Sequence, residues 1–192
     1  LKHGEKTETV MHSREFPLLG DHNLSNALAA VAAAYLAKVP LESIATTLRS
    51  VQPIPQRMEL IGTSNGVEFY NDTASTAPES TIAALKTLFS SDKKLILVMG
   101  GRSKGLDYRA LAESIDTKVS GLILLKSPLG DEIETLLKNK KTIRTVTSLK
   151  EAVSEAKRLS DSGDRVILSP AGEYFVYFRT TMPDCRMLRN LI

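Results

Sequence analysis

The sequence predicts an α/β fold: a mostly parallel sheet with helices on both faces, preceded by a small, mainly helical unit. Three observations carry that expectation. Short apolar runs at Leu95–Met99, Val119–Lys126, Thr142–Val146 and Arg165–Leu168 alternate with helical apolar patterns, as repeated βα units require. Val67 to Pro78 reads as strand, polar elbow and helix start. Ahead of these units lies an alanine-rich segment, Ala27–Ala37, of high helix propensity.

Taken in order, Leu1–Glu15 alternates weakly and predicts one or two short strands. Phe16–Gly20 is a short apolar link. A helix follows through Ala37, with Asn or Asp at its start as the expected cap, and a second helix covers Leu41–Ser50. Pro53 and Pro55 push their neighbours to extended conformations, which places a domain boundary there, with residues 1–53 on one side and 54–192 on the other. Arg57–Gly62 and Val67–Asn71 read as strands joined by a hairpin, because Asn65-Gly66 suits a tight turn with positive φ. Glu79–Phe89 carries apolar residues at helical spacing, and Pro78 suits the first turn. Further helices are expected over Tyr108–Ile115, Leu129–Leu137 and Leu149–Leu159, and from Glu173 onward with a break at Pro183.

Composition bounds the function. The chain has 192 residues, 42% hydrophobic and 24% charged, which is ordinary for a globular protein with a sizeable core. A net charge of +3 is too diffuse to indicate nucleic acid. The apolar run Ala27–Ala37 falls short of the roughly 20 residues a membrane span needs, so no membrane partner is expected. The one cysteine, Cys185, permits no internal disulfide, and a cytoplasmic location follows as the expectation. The chain opens on Leu1 and a polar stretch, which reads as a fragment or a processed form.

Three loops fall at strand carboxyl ends: Asn71–Thr76, Gly100–Gly105 and Ser169–Gly172. In open α/β sheets such loops line one crevice. Asp72 could bind a ribose hydroxyl, and Thr76 offers a hydroxyl near a helix start, where backbone N–H groups favour anions. Gly100 and Gly101 would let the backbone approach a ligand, and Lys104 suits a carboxylate or phosphate. Each has a plainer reading: Asp, Ser and Thr cap helices, and Lys104 alone is a solvated loop lysine. No G-x-x-x-x-G-K-[ST] loop exists, the three histidines lack metal-ligand partners, and Ser169 lacks a nucleophile context.

Five motifs in order, Gly20-Asp21-His22-Asn23-Leu24-Ser25-Asn26, Gln56-Arg57-Met58-Glu59, Asn71-Asp72, Gly100-Gly101 with Lys104, and Leu168-Ser169-Pro170-Ala171, resemble the Mur ligase family, most of all its glutamate-adding members. The resemblance covers nearly the whole chain. It implies that residues 1–53 are the tail of a central ATPase domain and residues 54–192 a C-terminal Rossmann-like ligase domain. It also implies an ATP-dependent ligase of peptidoglycan precursor synthesis, which forms an acyl-phosphate and joins glutamate to UDP-N-acetylmuramoyl-L-alanine. ATP and Mg2+ would serve the intact enzyme. The fragment alone is expected to be inactive, to bind neither, and to contain no metal ligand or assured catalytic residue. A monomer is expected. By position, Asn26, His22, Asn23, Arg57 and Asp72 match the family's nucleotide side. Thr76, Lys104, Ser169 and Tyr174 match its amino-acid side.

The chain also departs from the family. Ala74 stands where the glutamate ligases carry Lys, Ser75 where related ligases carry His, and Tyr174 where a side-chain-binding Ser is usual. Met182-Pro183-Asp184 replaces the customary Arg-Gly. The carboxylate anchor is kept while the side-chain pocket changes, so a ligase for another amino acid, or a non-catalytic nucleotide- or amino-acid-binding module, stands as the alternative.

Overall fold

The computed structural model describes residues 2–3, 6–137, 142–173, 190 and 192. Most of the helix expected from Glu173 onward, its break at Pro183, and Tyr174 lie outside the described residues. The chain divides into two compact units, Leu1–Pro53 and Ile54–Ile192.

The first unit holds a two-stranded antiparallel pair, β1 (Lys2–His3) and β2 (Lys6–Thr7), and two helices, α1 (Asp21–Leu36) and α2 (Leu41–Ser50). The expected Asn or Asp cap of α1 is not made. Gly20 is the N-cap, at φ 95°, and no side chain caps the helix. A left-handed φ explains the glycine. The Asn23 amide instead donates back to the Leu19 carbonyl at 2.7 Å. Of α1, only Ala27 and Val31 are buried.

The second unit is one six-stranded sheet. Its strands are β3 (Glu59–Ser64), β4 (Val67–Asn71), β5 (Leu95–Met99), β6 (Gly121–Leu125), β7 (Thr142–Val146) and β8 (Arg165–Leu168). They lie in the order β3-β4-β8-β5-β6-β7. Only β3–β4 is antiparallel, joined by Asn65 and Gly66 at positive φ as the hairpin turn demands. Every other pair in this sheet is parallel, and β8, the last in sequence of the described strands, lies between β4 and β5.

The crossover helices are α3 (Pro78–Leu88), α4 (Arg109–Lys118), α5 (Pro128–Leu136) and α6 (Leu149–Leu159). Strand alternation divides the core into two layers. Leu95, Leu97, Met99, Leu122, Leu124 and Ile167 point to the side where α3, α4 and α5 contribute Leu85, Leu111, Ile115 and Ile133. Ile96, Val98, Ile123, Leu125, Val166 and Leu168 point to the other side, against Leu149, Ala152, Val153 and Ala156 of α6. Each fully buried Leu or Ile contributes about 1.5–3 kcal/mol, so β5 and β6, apolar on both faces, anchor the sheet. Among the described residues no helix is long and apolar enough to cross a membrane.

Candidate functional site

The carboxyl ends of β4, β5 and β8 bring the three loops together. After β4 the elbow does not cap α3. Ala77 is the N-cap, with no side-chain bond, and Pro78 opens the helix. Asn71 instead closes a local turn, its side-chain Oδ1 accepting the Thr73 N–H at 3.2 Å and the Thr73 hydroxyl at 2.9 Å. This leaves Thr76, half-buried, free of capping duty.

Two backbone contacts tie the elbow to the loop after β8: the Asp72 N–H donates to the Leu168 carbonyl and the Ala171 N–H to the Ser75 carbonyl, each at 2.9 Å. The Gly100 loop joins from the other side. Arg102 and Glu173 exchange two backbone hydrogen bonds at 3.0 Å. Across the gap, the exposed Lys104 ammonium donates to the Thr76 hydroxyl at 3.0 Å. Lys104 is steadied from behind, because its N–H donates to the hydroxyl of the buried Tyr108 at 3.3 Å.

The backbone of Gly100 and Gly101 closely approaches the turn after β6. A Cβ on Gly100 would lie 2.7 Å from the Leu125 carbonyl oxygen. The Gly101 N–H donates to the buried Ser127 hydroxyl at 2.9 Å, which itself donates to the Leu125 carbonyl at 2.8 Å. A hydroxyl supplies both a donor and acceptors, so Ser127 satisfies groups that the close approach removes from water.

Asp72 and Ser169 are closed inside the site. Asp72 is 3% exposed; one carboxylate oxygen accepts the Met58 N–H at 3.1 Å and the other the Ser169 hydroxyl at 2.7 Å. Ser169, fully buried, meets the Thr81 hydroxyl at 2.8 Å. Arg57 stands exposed beside them, between Gln56 and Met58, whose φ values of 65° and 46° are left-handed. Such conformations cost non-glycine residues about 1–2 kcal/mol each, so tertiary contacts must hold them. The Ala74 N–H supplies one, donating to the Gln56 carbonyl at 3.0 Å. In the first unit, His22 and Asn26 stand exposed on the first turns of α1, while the Asn23 amide is spent on Leu19.

Burial pushes the Asp72 carboxyl above its ordinary 3.8, while hydrogen bonds from Ser75, Ser169 and Met58 and the charge of Arg57 pull it back only in part. The folded protein therefore holds this proton to higher pH than the unfolded chain does. Stability from this group is present below 3.8 and is lost as pH rises through the folded value. The variant Asp72→Asn keeps an oxygen for Met58, and the hydroxyl chain can reverse its direction to accept the amide. We expect it to flatten the fall in urea-unfolding midpoint as pH rises above 3.8. An unchanged slope would exclude Asp72 as its source.

Thr81, Tyr108 and Ser127 were not singled out from the sequence. A signal existed for two of them. Thr81 is a polar residue on the α3 stripe completed by Ala84, Leu85 and Leu88, and Ser127 precedes Pro128 as an N-cap does. Among the described residues, no group of three or more His, Cys, Asp or Glu could hold a metal ion.

Comparison with known proteins identifies the unit that carries these loops. The Mur ligase glutamate ligase domain matches residues 56–172, a span that contains Arg57, Asp72, Thr76, Lys104 and Ser169. The UDP-N-acetylmuramoylalanine–D-glutamate ligase of Marinobacter nauticus is 34% identical over 185 residues, covering 96% of this chain and 41% of that protein. The enzyme of the same name from Clostridioides difficile is 37% identical over 163 residues, covering 84% and 35%. The chain thus spans about two fifths of the length of these relatives. Two solved structures share the fold. One is the UDP-N-acetylmuramate-alanine ligase of Thermotoga maritima, with a TM-score of 0.65 at 19% identity, over 84% of this chain and 37% of that one. The other is a pseudomurein peptide ligase type C from Methanothermus fervidus, with a TM-score of 0.67 at 20% identity, over 90% and 35%. With the domain match spanning most of the sheet unit, and relatives aligned along nearly the whole sequence, the chain belongs to the Mur ligase family.

Proposed function

We propose that this chain supplies the amino-acid side, and part of the nucleotide side, of the active site of an ATP-dependent ligase that adds glutamate to UDP-N-acetylmuramoyl-L-alanine. The observation that carries the reading is the Lys104–Thr76 contact, made between the loops after β5 and β4, two strands that flank β8. A flexible ammonium and a hydroxyl, two residues before the first helical residue of α3, suit the α-carboxylate of an incoming amino acid. Arg57 would face the nucleotide phosphates. Leu1–Pro53 would be the tail of the central ATPase domain, with His22, Asn23 and Asn26 toward the adenine. In the full enzyme, the substrate carboxylate takes the γ-phosphoryl group of ATP. The glutamate amine then attacks that carbonyl carbon, and phosphate leaves. The enzyme would act as a cytoplasmic monomer. This chain alone, without a phosphate-cradling loop, would not turn over ATP.

The test is phosphate release by the full-length enzyme, with UDP-N-acetylmuramoyl-L-alanine and a panel of D- and L-amino acids. Glutamate should be the preferred substrate, and Tyr174→Ser should shift the preference without abolishing carboxylate binding. Release that no amino acid stimulates would favour the non-catalytic binding module instead.

A further inference from the structure

We propose that Thr81, Ser169 and Asp72 form a buried chain whose task is to hold the Gln56–Met58 turn, which makes them positioning residues for Arg57. The proposal rests on the reading of Arg57 as a nucleotide contact.

The direction of the chain follows from its chemistry. Ser169 has one hydroxyl proton and gives it to Asp72, so Thr81 must donate to Ser169. The second carboxylate oxygen of Asp72 accepts the Met58 N–H. All three side chains are buried, and every polar atom they carry in this chain is directed at another protein group. Arg57, held between two left-handed residues, is the exposed side chain next to this buried chain. The chain runs from α3 through the loop after β8 and the elbow to the turn before β3. It links the orientation of Arg57 to the assembly of the site. The amino-acid side, at Thr76 and Lys104, is not on this path.

The test uses the full-length enzyme. Thr81→Val removes one hydroxyl at nearly constant volume, Ser169→Ala removes the next, and Thr81→Ser retains the chain as the conservative control. Thr81→Val and Ser169→Ala should each raise KM for ATP about tenfold, the effect of losing one buried hydrogen bond, and Thr81→Val should leave KM for glutamate within about twofold. Exchange of the Met58 amide should quicken about tenfold or more in both and stay near wild type in Thr81→Ser. Adding Thr81→Val to Arg57→Ala should raise KM for ATP no further. Unchanged Met58 exchange in Thr81→Val would overturn the proposal, as would equal rises in both KM values. If Arg57→Ala leaves KM for ATP unchanged while Met58 exchange still quickens in Thr81→Val, the nucleotide reading of Arg57 fails although the chain of hydrogen bonds stands, and the positioning role falls with it.

Discussion

In the full-length enzyme, Lys104→Ala should raise KM for the amino acid roughly ten- to a hundredfold and leave KM for ATP nearly unchanged. A charged hydrogen bond to a carboxylate contributes about 1.5–3 kcal/mol, and each 1.4 kcal/mol is tenfold in affinity. The ammonium already stands 3.0 Å from the Thr76 hydroxyl, so the two groups are close enough to share one small anion. Because Lys104 is exposed, its truncation should shift folding stability by no more than about 0.5 kcal/mol, which separates a binding defect from an unfolding defect. Thr76→Val should act in the same direction but more weakly, since a neutral hydroxyl contributes less than an ammonium. Amino-acid-dependent phosphate release, measured at saturating ATP, reads the effect. Unaltered amino-acid dependence in Lys104→Ala would remove the carboxylate clamp.

The second large effect is on stability. Gly100→Ala should destabilise the sheet unit by on the order of 4 kcal/mol, from overpacking plus backbone strain. The added Cβ would sit 2.7 Å from the Leu125 carbonyl oxygen and 3.0 Å from both the Leu125 Cβ and the Ser127 Oγ, at φ 141°. The carbonyl belongs to a central strand and cannot move aside. Gly105→Ala is the control, because Gly105 also has positive φ, at 67°, but nothing lies within 4 Å of an added Cβ. It should lose only about 1–2 kcal/mol. Urea unfolding of the two variants separates clash from strain, and equal losses would show that the Leu125 contact is relieved at little cost.

Much of the fold was legible because β5 and β6 are apolar on both faces and strand and helix patterns alternate along the chain. Val67–Asn71, Leu95–Met99, Thr142–Val146 and Arg165–Leu168 are strands over the residues read from the sequence, as α2 and α6 are helices. The first strand of the sheet was not: it begins at Glu59, not Arg57, because Gln56 and Met58 are held left-handed by bonds from the elbow. Local propensity carries no sign of that. The α1 cap was missed for the opposite reason, since a glycine with positive φ displaced several good capping side chains. In the site, the strand-end rule brought the right loops together, but it could not say which polar atoms face inward. Thr81 and Ser169 are 88 residues apart, and only the folded sheet makes them neighbours.

The place of β8 has a consequence for how the chain is made. Synthesis proceeds from the amino terminus, so the β3–β4 hairpin and the β5–β6–β7 ladder leave the ribosome before the strand that joins them. Until Arg165–Leu168 emerges, β4 and β5 each carry an unpaired edge flanked by apolar side chains, the kind of surface that invites pairing with another chain. A nascent chain stopped just short of β8 would already contain Arg57, Asp72, Thr76 and Lys104 and still have no site. The insertion of one four-residue strand both joins the two parts of the sheet and draws the elbow and the glycine loop to a common edge, so that sheet and candidate site are assembled in a single event.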